Sequence, residues 1–107
     1  MKLIIAIVSK DDASKVMKEL IKEKFFVTKL ASSGGFLRSG NTTLMIGTRK
    51  KNIDHAIDVI TEHSKNRKEV VPNSFASEFG MMSSVPIEVN VGGATMFIID
   101  VEKHIKV

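Results

Sequence analysis

The chain opens with residues 3–8 (LIIAIV), an apolar run without a polar break. That pattern suits a strand buried on both faces at the centre of a sheet. Ala13, Val16, Met17, Leu20 and Ile21 then recur at the i, i+3, i+4, i+7, i+8 spacing of an amphipathic helix. Asp11 or Asp12 stands where it could cap that helix. Residues 25–32 and 41–48 read as two further strands, and Ile53, Ala56, Ile57 and Ile60 form the stripe of a second helix over residues 51–64. Two runs compete to close the sheet. Val85, Ile87, Val89 and Val91 alternate with Pro86, Glu88 and Asn90, as in a half-buried strand. Residues 94–101 are apolar on both sides, with Ala94, Met96 and Ile98 on one and Phe97, Ile99 and Val101 on the other. Assigning the second run to the core makes the first an added strand. The resulting β-α-β-β-α-β order predicts an α+β, ferredoxin-like βαββαβ fold.

The two-sided strands carry a consequence beyond the fold. In this arrangement both helices cover one face of the sheet and leave the other open. A contiguous apolar patch on the open face calls for a cover, and a homo-oligomer packing sheet faces around an axis is the simplest one.

From Asn66 to Ser84 the regular pattern fails, and a connection of that length in a compact fold is commonly functional. Phe75, Phe79 and Met82 fall at i, i+4, i+7 within it, the spacing of a short helix. They suit a docking surface as well as a segment folding back on its own core.

At 107 residues the chain is read as one domain spanning residues 1–107. It has no cysteine, which rules out disulfides and thiolate chemistry and is compatible with a cytoplasmic location. No apolar run approaches the ~20 residues of a membrane span. Residues 3–8 are also too short for a signal peptide's apolar region. The net charge is +4, from 16 basic and 12 acidic residues. Much of it lies on a solvated helix face, where Lys15, Lys18, Lys22 and Lys24 alternate with Glu19 and Glu23.

Candidate chemistry centres on residues 34–40 (GGFLRSG), three glycines in seven positions between two strands. Backbone N–H groups turned inward in such a loop make a concavity for phosphate oxygens. Phe36 offers a stacking surface for a base, and Arg38 a cation for a phosphate. The combination suits a nucleotide. His55 and His63 lie eight positions apart with no third ligand in view, and no nucleophile–base pair is evident. Neither a metal site nor a catalytic site is expected.

Ser33-Gly34-Gly35-Phe36-Leu37-Arg38-Ser39-Gly40-Asn41-Thr42-Thr43, with TKLA before it, an MKLIIAIV opening and Val91-Gly92-Gly93-Ala94-Thr95 near the other end, resembles the PII-like proteins that bind cyclic di-AMP. These are signal-transduction proteins known as the PstA or DarA family, and the resemblance runs over essentially the whole chain. It implies a homotrimer with a cyclic di-AMP pocket between neighbouring subunits. The ligand-binding positions it implies are Thr28, Gly35, Phe36, Leu37, Asn41, Gly47 and Phe97. Cyclic di-AMP is then the ligand, with no separate cofactor. The glycine loop takes the place of a shortened T-loop, and the 66–84 segment that of an enlarged B-loop, the expected contact for a protein target.

Two positions depart from the family's pattern. Phe26 stands where many members carry arginine, and Lys106 lies near the end where relatives offer glutamine. Two other readings compete with the cyclic di-AMP receptor. One is a PII-like protein that binds another adenine nucleotide such as ATP. The other is a single-stranded RNA-binding module, which would need aromatic residues on its central strands, and residues 3–8 have none. Without a tyrosine, the uridylylation known in some PII proteins has no acceptor here.

Overall fold

A computed structural model describes residues 1–30, 40–71 and 87–107. Strand β1 (Lys2–Ser9) leads into helix α1 (Lys10–Lys22), followed by β2 (Phe26–Leu30) and β3 (Asn41–Thr48). A 3₁₀ turn (Lys50–Asn52) opens onto α2 (Ile53–His63). Then come β4 (Arg67–Val71), β5 (Ile87–Val91) and β6 (Ala94–Asp100). The main sheet has the order β2-β3-β1-β6, with every pairing antiparallel. This is the ferredoxin-like arrangement that the pattern predicts, with β1, apolar over residues 3–8, in the interior of the sheet.

The helices cover one face. Ile4, Ala6 and Val8 of β1 and Leu44 and Ile46 of β3 form a buried core with Ala13, Val16 and Leu20 of α1 and Ala56, Val59 and Ile60 of α2. The period-2 burial of β1 assigns its odd positions, Leu3, Ile5 and Ile7, to the opposite face. Helix α1 ends in a Schellman turn. The Lys24 N–H donates to the Ile21 carbonyl and the Phe25 N–H to that of Leu20, each at 3.0 Å. Lys24 takes the left-handed φ of +72° that this turn requires. Leu20 and Phe25, the pair that such a turn brings together, are both buried.

Several expectations need correction. Neither Asp11 nor Asp12 caps α1: Ser9 holds the N-cap position and makes no side-chain cap hydrogen bond. Asp12 is instead buried, with its carboxylate on Arg67. Ile21 of the predicted stripe is 55% exposed, because the apolar stripe is wider than the surface α1 buries. Val59, outside the predicted α2 stripe, is buried.

Regular structure also extends past Asn66. Residues 67–71 form β4, which pairs with the expected added strand β5 in a separate two-stranded sheet, from Arg67 opposite Val91 to Val71 opposite Ile87. The charged start of RKEVV hid that strand, which an antiparallel partner stabilises rather than a buried face. The expected short helix at Phe75, Phe79 and Met82 lies outside the described residues. Among the described residues, no helix is long and apolar enough to cross a membrane.

Candidate functional site

Directly paired residues of an antiparallel sheet share a face, so the registers define the helix-free surface as rows running across four strands. Thr28, Met45, Ile5 and Phe97 form the middle row. Phe26, Gly47, Leu3 and Ile99 form the row on one side of it, and Leu30, Thr43, Ile7 and Thr95 the row on the other. Asn41, paired with Ser9, lies at the far end of β3 on the same face. Every ligand position implied by the sequence within the described residues is therefore on one side of the sheet: Thr28, Asn41, Gly47 and Phe97. Gly35, Phe36 and Leu37 lie outside the described residues.

Sharing a face is not forming a cluster. Thr28 and Gly47 are diagonal neighbours at one edge of the sheet. Phe97 is on the opposite edge, about 14 Å away across three strand spacings. Asn41 is six residues from Gly47 along β3, about 20 Å in extended chain. One chain thus presents these residues as separate points on a broad surface.

That surface is apolar. Phe26 is 87% exposed, Phe97 48% and Ile99 45%, while Leu3, Ile5, Ile7 and Met45 are half-buried in the rows between. Phe26 and Gly47 line a cleft of about 300 Å³ together with Lys24, Arg49 and His55. Gly47 leaves space there, since a β-carbon would meet only the Met1 sulfur, at 3.8 Å. The cleft therefore combines an exposed aromatic ring, an open stretch of backbone and two cations. Glu23 lines it too, with Oε2 3.4 Å from His55 Nε2.

Arg49 is a residue the sequence reading passed over. Its position two residues after Gly47 on the strand exit was the available signal. At the other side of the sheet, Lys2 pairs with Asp100. The hydrogen bond from its ammonium holds the Asp100 carboxyl below the usual carboxylate range.

Two likenesses to known proteins bear on this surface. A family model described as cyclic-di-AMP receptor matches residues 1–107. The fold is also similar to a crystal structure of a protein from Pediococcus pentosaceus that is described as functionally unknown. The TM-score is 0.78 and the identity 35%, over 99% of this chain and 96% of that one.

Proposed function

The chain belongs to the cyclic-di-AMP receptor family, and we propose that it binds cyclic di-AMP in pockets between the chains of a homotrimer. The family is one of receptors rather than enzymes. The observation that carries the inter-chain reading is the layout of the helix-free face. Thr28 and Gly47 stand at one edge, Phe97 at the other, and half-buried aliphatic residues lie between them. A neighbouring chain that brings its β6 edge towards the β2–β3 edge of the first carries a Phe97 to Thr28 and Gly47 and covers the exposed apolar surface in the same step.

Each residue then has a task that its chemistry suits. The Asn41 side chain donates and accepts, as an adenine edge or a phosphate requires. The Thr28 hydroxyl does both on a smaller scale, and Gly47 admits close approach of the ligand. Phe97 supplies an apolar wall, and Gly35, Phe36 and Leu37 complete the set of ligand positions that the resemblance implies. Phe26 carries no charge for a phosphate, but Lys24 and Arg49 line the same cleft. Arg49 is the better placed in chemistry, since a guanidinium donates in pairs to phosphate oxygens. The Phe26 ring is left free to stack on a base.

Binding becomes a signal when a protein target distinguishes occupied from empty receptor, since a ligand shifts only states it binds with different affinity. The 66–84 segment is the surface for that target.

Isothermal titration with cyclic di-AMP, with ATP in parallel, tests this reading. Saturable heat at one ligand per chain with cyclic di-AMP and none with ATP is the expected result. No heat with cyclic di-AMP, or preference for ATP, overturns it.

A further inference from the structure

Gly40, where the chain enters β3, and Arg67, where it enters β4, are both held by the first turn of α1. The Lys10 N–H donates to the Gly40 carbonyl oxygen at 2.6 Å. Two residues on, the Asp12 carboxylate accepts from Arg67 Nη2 at 2.9 Å and from Nη1 at 3.2 Å. A fork of two roughly parallel hydrogen bonds fixes orientation as well as distance, which a single bond does not. The Asp12 side chain is only 9% accessible, and a carboxylate so placed depends on its partner. The bond to Asp12 in turn raises the Arg67 pKa above its ordinary value.

The rest of the junction is shaped around that guanidinium. Arg67 Nη1 also donates to the Lys65 carbonyl at 3.2 Å. A β-carbon at Gly92 would stand 2.6 Å from the same nitrogen. At the other strand of the pair, the Gly93 N–H donates to the Ser64 carbonyl at 2.5 Å, and Ser64 Oγ donates to the Ile60 carbonyl. Beyond this base, β4 and β5 pair chiefly with each other and pack little on the core. Among the described residues, the contacts that fix the direction of these two strands are those of the junction.

We propose that Asp12 and Arg67 are a positioning pair that ties the β4–β5 arm to the Asn41 end of the binding face. The coupling rests on the ligand reading above, whereas the anchoring of the arm does not. A ligand seated at Asn41 constrains the neighbouring Gly40. Gly40 is bonded to the first residue of α1, and the first turn of α1 holds the arm through Asp12. The β4 strand of the arm lies within the 66–84 segment assigned to the protein target, so the pair gives occupancy a route to that surface.

Hydrogen exchange resolved by peptide mass, over residues 67–71 and 87–91, tests the proposal on Asp12→Asn and Arg67→Gln. Without ligand, either variant speeds exchange in these strands by about tenfold or more, the factor expected for loss of at least one charge-assisted hydrogen bond. Residues 4–8 and 44–46 of the core keep their protection. The double variant exchanges no faster than Arg67→Gln alone, because that substitution already removes the contact with Asp12 together with the bond to Lys65 and the pairing with Glu69.

With saturating cyclic di-AMP, arm exchange slows in the wild-type protein and not in the variants. That ligand dependence is what mere structural support would not produce. Unchanged arm exchange in both ligand-free variants overturns the anchoring. Ligand-induced slowing that persists in both overturns the coupling. Failure of the wild-type protein to bind cyclic di-AMP overturns the ligand reading and the coupling with it, while the ligand-free comparison still decides the anchoring.

Discussion

A β-carbon at position 92 would stand 2.5 Å from the Lys65 carbonyl oxygen, and one at position 93 would meet nothing nearer than 3.9 Å. Both glycines have left-handed backbones, with φ of +83° and +85°. Alanine at either site therefore takes on the left-handed cost of about 1–2 kcal/mol. Only at 92 must backbone or the Arg67 guanidinium also move. Thermal and denaturant unfolding should show Gly92→Ala to be the more destabilising, with Gly93→Ala losing about 1–2 kcal/mol. Equal losses would mean that the junction yields freely around position 92. The sequence shows the glycine pair plainly but gives no hint of this difference. It depends on Lys65 and Arg67, which reach position 92 only through the folded chain. Asp12 was misread for the same reason: at a helix start it resembles a cap, and its partner lies 55 residues away.

Elements with their own periodic signal were the legible ones. Helices α1 and α2 announce themselves because burial of one face imposes a period of 3.6 on the chain, and β1 by an apolar run too long for a turn. The alternation of β5 was readable too, but its partner was not, since β4 begins with three charged residues and is stabilised by pairing. Within α1 the stripe was legible and its edge was not. Leu20 is fully buried while Ile21, its neighbour on the stripe, is largely exposed. Leu20→Ala should cost about 2–5 kcal/mol by loss of burial and creation of a cavity. Ile21→Ala should stay within about 0.5 kcal/mol. Urea unfolding of the two variants checks this, and similar losses would place Ile21 in a buried contact. At the candidate site, the positions of Thr28, Asn41, Gly47 and Phe97 on strands were foreseeable. Their separation across the sheet was not, because it follows from strand order.

For the whole molecule, the decisive feature is the asymmetry of the main sheet. One face is closed by two helices over an aliphatic core. The other carries Phe26, Phe97 and Ile99 at the surface, with the candidate ligand positions among them. Two-sided apolarity in β1 and β6 already pointed to a cover for that face, and the registers show which residues it would meet. The number of chains that meet there follows from symmetry, which neither hydrophobic pattern nor register encodes. Native mass spectrometry, in the absence and presence of cyclic di-AMP, measures chain number and ligand number in one spectrum. The account predicts an assembly of three 11.8 kDa chains that takes up three cyclic di-AMP molecules. A monomer that binds the ligand by itself, or a trimer that takes up none, would contradict it.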